Sequence, residues 1–267
     1  MASSTRQSLA SAKAALQPLL AKADLAFASE LFAVSGAVAS SAQLRNLLSD
    51  PSAEVKAKSG AVSAVFAKGV SAAVLDFLTS LVALRWSKGS DLVSALEQLG
   101  VHVVATIAVK NANIQQVSDE LFTFEQAIEG DSDLQFALAS KSATSEARLA
   151  LVDKLLGKQA SAEGALLIRQ AVSAAGKRRA SLVLAGFGKL VALVASQQVA
   201  TISVAQELSA AQLERLGAAL AAQYGTAIKL NVELDPSVIG GVRVQIADQI
   251  IDGSVASRLN QARLSLA

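Results

Sequence analysis

Residues 27–38 read FASELFAVSGAV, and residues 117–128 read VSDELFTFEQAI. In both stretches apolar side chains recur at the spacing i, i+4, i+7 and i+11, which is one face of an amphipathic helix. These side chains are Phe27, Leu31, Val34 and Val38 in the first stretch, and Val117, Leu121, Phe124 and Ile128 in the second. One such helix cannot bury its stripe alone, so the pattern predicts helices packed as bundles.

The two stretches belong to a longer internal repeat, in which residue 120 aligns with residue 30 and no gap is needed. Further identities keep the same shift, and the polar breaks at 49–51 and 139–141 also correspond. The identities include Glu30-Leu31-Phe32 with Glu120-Leu121-Phe122, Leu44 with Leu134, Ser71-Ala72 with Ser161-Ala162, and Leu92-Val93 with Leu182-Val183. The chain is therefore interpreted as carrying two copies of one helical unit.

Each copy is predicted to consist of several short helices joined by polar connections. The predicted helices are 8–20, 24–39, 42–48, 53–67, 70–86, 90–108, 113–129, 132–139, 143–156, 162–175 and 179–196. The helix near 90–108 would end the first copy and begin the second. Gly100 and the β-branched valines around it leave a break or a short strand there as the alternative.

The pattern changes after residue 197. Residues 199–205 and 228–234 alternate in the manner of strands, and 242–246 and 249–251 continue that pattern. Ser209 and Gln212 form a capping-box spacing at the start of a helix that should end before Gly225. A last helix is predicted over 254–266.

The fold prediction is a mainly α chain in which two tandem N-terminal helical bundles precede a small α/β C-terminal domain. The predicted domains are residues 1–105, the extra copy; 106–196, the second bundle; and 197–267, the α/β domain.

Composition excludes several kinds of function. The chain has 267 residues with 52% apolar side chains, but only 4% are aromatic and none is cysteine. Disulfides, thiolate chemistry and cysteine-bound zinc are therefore excluded. A net charge of +2, spread along the chain, argues against a nucleic-acid binder. The apolar stretches 181–205 and 73–84 are interrupted or too short for a membrane span, and residues 1–20 do not form a secretory signal.

Catalytic and cofactor sites are not predicted. Glycine precedes lysine at 157, 176 and 188, but a phosphate-binding loop also needs Ser or Thr after the lysine, and none follows. His102 is the only histidine and lies among apolar residues, as a core or edge histidine would. No metal ligands, no cofactor and no catalytic residues are therefore assigned.

Lys177-Arg178-Arg179 is the strongest charge feature of the sequence. It is interpreted either as a solvated helix junction or as a contact to an acidic partner helix or to anionic lipid.

The C-terminal sequence contains a set of residues whose order resembles the signature of the ATP synthase delta (OSCP) subunit family. The matching residues are Asp235, Pro236, Ile239, Gly240, Gly241, Asp248, Asp252, Gly253, Ser254 and Arg258. Their chemistry is structural: Gly240-Gly241 permits unusual backbone angles, Asp252-Gly253 suits a turn, and Ser254 can cap a helix. Ala247 stands where the family usually has glycine.

The second copy resembles the N-terminal bundle of this family, and a duplicated bundle is similar to actinobacterial members. The resemblance implies a non-catalytic peripheral-stalk subunit of the F-type proton-translocating ATP synthase. Its bundles would hold N-terminal segments of the alpha subunits, and its C-terminal domain would hold b-type stalk subunits. It would resist rotational torque and reach the cytoplasmic side of the bacterial cell membrane only through these partners. The alternatives are a helical adapter of another assembly and an enzyme of unknown type.

Overall fold

The computed structural model describes residues 3–140, 143–157, 160–175, 179–196, 199–206, 208–224, 228–235, 238, 240–246 and 249–252. These residues form two compact units, Met1–Val191 and Ala192–Ala267. The helices that begin in the first unit are α1 Ser3–Leu20, α2 Leu25–Ser40, α3 Ala42–Ser49, α4 Val55–Phe66, α5 Ala72–Val82, α6 Gly89–Lys110, α7 Ile114–Gly130, α8 Ser132–Ala139, α9 Ser145–Leu156, α10 Ala162–Ala175 and α11 Ala180–Ser196. The second unit adds β1 Val199–Val204, α12 Ala210–Tyr224, β2 Lys229–Leu234, β3 Val242–Ile246 and β4 Gln249–Asp252.

The prediction of a mainly helical chain ending in a small α/β domain is confirmed. Most predicted helices begin and end within two residues of the observed ones. Two differ more: α1 begins at Ser3, not at residue 8, and α5 ends at Val82, not at residue 86. The chain leaves α5 early because the buried Trp86 folds back and donates a hydrogen bond from its Nε1 to the Leu81 carbonyl oxygen at 3.0 Å. The boundary predicted near residue 105, between two separate bundles, stays a prediction.

The two sequence copies share one pair of tertiary hydrogen bonds, made by a glutamate and a serine. Glu30 on α2 accepts bonds from the Ser71 backbone N–H at 2.8 Å and from its hydroxyl at 2.7 Å. Glu120 on α7 accepts the same two bonds from Ser161, at 2.8 and 2.6 Å. Each serine also caps the helix that it begins, α5 or α10. The same glutamate thus ties the second helix of each copy to the fifth, which supports the repeat in three dimensions.

The helix α6 is continuous from Gly89 to Lys110, so the break or strand considered at Gly100 is wrong. It packs against α1, α2 and α3 on the side of the first copy and against α7 and α10 on the side of the second. It therefore ends one copy and begins the next, as the sequence predicted. Burial from both sides explains why its β-branched residues remain helical: packing outweighs their weak helix propensity.

Gly100 allows α2 to pack closely against α6. The Phe32 ring lies over Gly100, where a Cβ would come within 2.8 Å of the ring atom Cδ1. Nearby, the Ser35 hydroxyl donates a bond to the Val93 carbonyl oxygen at 3.3 Å. Phe32 is buried as a result. The glycine that looked like a weak point in the sequence is therefore the contact surface for α2.

Among the described residues, α6 also has the length and hydropathy of a membrane-spanning helix, whereas the two stretches considered from the sequence do not form one. Of its most apolar 18-residue window, 67% is buried inside this unit. A core helix flanked on two sides needs apolar residues around most of its circumference, which accounts for this composition.

The second unit is built on a four-stranded sheet in the order β2-β1-β3-β4. β1 pairs parallel with β2 and antiparallel with β3, and β3 pairs antiparallel with β4. Alternate strand residues and α12 form its core, which contains Ala200, Leu220, Ile228, Val244 and Ile246. The predicted capping box is present: the Gln212 side chain accepts from the Ser209 N–H at 2.8 Å, and the Gln212 N–H donates to the Ser209 hydroxyl at 3.4 Å. The helix predicted over 254–266 lies outside the described residues.

Substitution of Gly100 tests the close packing of α2 on α6. We expect Gly100→Leu, which places there the leucine found at the equivalent position of the second copy, to displace the Phe32 ring from a packed core. The free energy of unfolding should fall by about 1–3 kcal/mol, measured by urea denaturation followed by circular dichroism. The control is Gly36→Ala on α2, where a Cβ meets no atom within 4 Å. It should raise the free energy of unfolding by about 0.5–1 kcal/mol through helix propensity. An unchanged midpoint for Gly100→Leu would contradict the packing argument.

Candidate functional site

The signature residues that the structure describes shape the connection between β2 and β3. The Asp235 N–H donates to the Val204 carbonyl oxygen at 2.9 Å, which fixes the end of β2 beside β1. Gly240 and Gly241 have φ angles of 66° and 83°, a region that side-chain-bearing residues rarely occupy. They turn the chain into β3, so that β3 can run antiparallel to β1. Asp252 ends β4 opposite Arg243.

The other signature positions lie outside the described residues. They are Pro236, Ile239, Asp248, Gly253, Ser254 and Arg258. Lys177 and Arg178 of the basic cluster lie outside them too, whereas Arg179 is described and exposed.

His102 on α6 is half-buried, and burial together with the nearby charge of Lys13 lowers its pKa from 6.5 to about 4. It is therefore neutral at pH 7. A neutral imidazole can coordinate a metal, but the described residues contain no group of three His, Asp or Glu side chains that could hold one. The partial burial of His102 on α6 fits the core or edge histidine that the sequence suggested.

Glu163 is a buried carboxylate that the sequence reasoning did not single out. Burial alone would raise its pKa, but its own backbone N–H and the side chains of Asn111 and Asn113 donate to it and bring the pKa below 4.5. The asparagine Nδ2 atoms lie 2.7 and 3.1 Å from its two oxygens. Glu163 thus fastens the turn between α6 and α7 to the start of α10. Alanines occupy all three equivalent positions of the first copy, so this tether belongs to the second copy.

Of the glycine–lysine pairs, Gly188-Lys189 lies inside α11 and not in a loop, so its backbone N–H groups are engaged in the helix. Gly157 adopts a positive φ at the end of α9, as a helix-terminating glycine does. Lys158 and the Gly176-Lys177 pair lie outside the described residues.

A groove of about 590 Å³ opens between the end of α7, the helix α8 and the start of α11; it is called the second-copy groove below. Its apolar lining includes Phe136, whose side chain is 76% exposed, and its polar lining includes Glu129 and Arg179. The remaining lining residues are Ile128, Ser132, Gln135, Leu138, Ala139, Ala180 and Ser181. A groove that contains an exposed phenylalanine and a cation is suited to protein contact.

The first copy has an equivalent groove of about 600 Å³, called the first-copy groove. It is lined by Ala39, Arg45, Ser90, Asp91, Val93, Ser94 and Glu97. Four of these positions correspond to Glu129, Gln135, Ala180 and Ser181 in the second-copy groove. The repeat therefore keeps a groove at the corresponding place in both copies, with different side chains lining it.

A third groove, of about 630 Å³, lies between α7 and α9. Phe124, Leu155 and Leu156 supply its apolar lining, and Asp119 and Glu120 its acidic rim. Sequence reasoning missed all three grooves because each is assembled from separate helices. Phe136 gave the only sequence signal, as a large apolar residue in a helix whose buried residue is Leu138.

Comparison with known proteins identifies relatives along the whole chain. Residues 102–266 match the family described as "ATP synthase delta (OSCP) subunit", which covers the second copy and the α/β domain. A protein of Leifsonia xyli named "ATP synthase subunit delta" is 42% identical over 267 residues, covering 100% of both chains. Proteins with the same name from Pseudarthrobacter chlorophenolicus and Streptomyces coelicolor are each 37% identical, covering 100% of this chain and 100% and 98% of theirs.

The lowered pKa of His102 predicts a pH-dependent stability. Because the unfolded chain binds this proton near pH 6.5 and the folded chain only near pH 4, acidification between these values favours unfolding. The free energy of unfolding should fall by up to about 3 kcal/mol across the interval and change no further through His102 below it. Urea denaturation from pH 7 to pH 4 measures this slope.

His102→Gln is the matched variant, since it keeps a polar side chain of similar size without the titration. It should lack the slope between pH 6.5 and 4.5, an interval in which the lowered pKa of Glu163 adds little. The same slope in both proteins would show that another group is responsible.

Proposed function

The chain belongs to the ATP synthase delta (OSCP) subunit family, and on this basis we propose that it is a non-catalytic connector between the catalytic head and the peripheral stalk. It is a subunit of the ATP synthase, acts in ATP synthesis and ion transport through that complex, and is associated with the complex on the membrane. The proposal concerns which partners it binds and what mechanical role this gives it.

The proposal rests on the contrast between the grooves of the helical unit and the exposed apolar side chains of the α/β domain. The helical unit has open grooves between its helices, lined by apolar side chains with charged rims. Amphipathic helices bind in grooves of this kind. We therefore assign the N-terminal segments of the alpha subunits to the helical unit. The b-type stalk subunits are assigned to the α/β domain, where Val232, Leu234 and Ile251 are exposed apolar side chains.

Several modest contacts made at once explain how such a connector could resist torque. Each linked contact makes the next one intramolecular, so the combined attachment exceeds any single affinity. The duplication of the helical copy would add contacts on the head side or stiffen the stalk. The chain would then lie on the cytoplasmic side of the membrane, where it needs no span of its own.

Depletion and readdition of the chain test the connector role. Membrane-bound synthase stripped of this subunit should keep ATP hydrolysis but lose ATP-driven proton pumping, because the head turns without a fixed stator. Adding back the full chain should restore pumping, measured by quenching of a pH-sensitive dye. Pumping that survives complete removal of the chain would exclude the role.

Cross-linking of the intact complex tests the assignment of partners. A lysine-reactive reagent should join lysines of the helical unit, such as Lys56, Lys110 and Lys154, to N-terminal segments of alpha. Lys229 should be joined to the C-terminal segment of a b-type subunit. Links from alpha to Lys229 alone, identified by mass spectrometry, would reverse the assignment.

A further inference from the structure

We infer that the second-copy groove is a docking site for an acidic amphipathic helix of another subunit, which inserts a large apolar side chain beside Phe136 and pairs a carboxylate with Arg179. The inference rests on the proposed connector role and adds to it a site, a face and a chemistry. It also assigns different roles to the two copies, since the first-copy groove lacks the features on which docking depends.

In the first-copy groove, the charged side chains bind other parts of the same chain. Arg45 donates from Nη1 to the Ala39 carbonyl oxygen at 2.7 Å, and its side chain lies against Gly89, where a Cβ would come within 2.5 Å of Cγ. Asp91 accepts a bond from the Thr5 hydroxyl at 2.7 Å. The arginine therefore closes the end of α2, and the aspartate holds α1 in place.

In the second-copy groove, a neutral residue takes over the bond of that arginine. Gln135, at the position of Arg45, donates from Nε2 to the Glu129 carbonyl oxygen at 3.1 Å. The cation of this groove is instead Arg179, which stands at the position of Gly89 and immediately precedes α11. Its guanidinium has no hydrogen-bond or ion-pair partner within the part of the chain that the structure describes. The second copy thus keeps the hydrogen bond from α8 to the end of α7, while the Arg179 guanidinium remains unpaired among the described residues.

The aromatic side chain of the second-copy groove is also a difference between the two copies. Phe136 occupies the position of Asn46 of the first copy and is 76% exposed. Leaving so large an apolar side chain in water forgoes the favourable free energy of burying it. Arg179 immediately precedes α11, and a cation at the N-terminus of a helix is also unfavourable for the helix itself. Neither residue serves the stability of its own unit, and both line one groove.

Charge selects the partner. Arg179 is the one cation and Glu129 the one carboxylate among the described residues that line the groove, and Lys177 and Arg178 precede Arg179 in the sequence. Because Arg179 has no partner among the described residues, it favours a ligand that carries a carboxylate. A groove bounded by three helices with Ile128 and Leu138 in its lining suits one helix face, whereas a lipid surface would require a broad basic face.

Photo-cross-linking in the assembled synthase tests the site. Phe136 is replaced by p-benzoylphenylalanine in the full chain, the complex is irradiated, and the linked peptide is sequenced by mass spectrometry. The expected product is a segment of another subunit that carries Asp or Glu within one helical turn of a large apolar residue. Phe122 is the matched control position, since it is a phenylalanine of the same copy, 62% exposed, outside this groove. It should not give that product.

Charge variants test the role of Arg179 in the same assay. Arg179→Glu should reduce the yield of the Phe136 product about fivefold to tenfold, the effect of reversing one partly exposed ion pair. Arg179→Lys should retain most of it. Lys154→Glu makes the same charge change on α9, away from the groove, and should leave the yield within about twofold.

Four outcomes would overturn the inference: linkage to lipid alone, linkage to a segment without acidic residues, the same product from Phe122, or no product at all. Co-purification of the chain with the alpha subunit, measured on the same samples, separates this failure from failure of the connector role. A complex that assembles without the product refutes only the groove. A chain that does not enter the complex refutes both.

Discussion

The burial of α6 from two sides is the constraint on which the helical unit depends. Because one helix ends the first copy and begins the second, its side chains must pack against α1, α2 and α3 as well as α7 and α10. Apolar residues around most of its surface satisfy both sets of neighbours, and Gly100 lets the Phe32 ring approach the backbone. A helix with the length and hydropathy of a membrane span is here the shared core element of a duplicated bundle.

Both copies retain contacts that folding requires, whereas other positions differ between them. The glutamate–serine tethers from Glu30 to Ser71 and from Glu120 to Ser161 recur with nearly the same distances. Side chains that face the core cannot change alone, because a packed interior tolerates neither cavities nor overlap. Groove-facing positions carry no such restriction. There the copies differ in charge and size, and the Glu163 tether is present in the second copy alone.

Nothing in this arrangement requires a reactive centre for the chain to serve the ATP synthase. A connector works by holding partners in fixed relation, and the relevant quantities are groove shape, exposed apolar area and charge. Ionisable groups such as Glu163 and His102 then act on stability. Glu163 fastens the turn between α6 and α7, and the lowered pKa of His102 reduces the free energy of unfolding at acidic pH. Family membership and the grooves, exposed apolar side chains and charges of the surface all support the role of a connector.

The sequence by itself determined the helices, the repeat, the strands and the family. Periodicity, capping residues such as Ser209 and the order of the C-terminal signature are local, so they can be read without knowing what lies nearby in space. Only the tertiary structure decided that α6 runs unbroken through Gly100, because the preference of a glycine and its β-branched neighbours is reversed by packing from outside the helix. It alone brought Arg179, Phe136 and Glu129 into one groove. They come from the start of α11, from α8 and from the end of α7, and side chains of separate helices meet only through the packing of the whole unit.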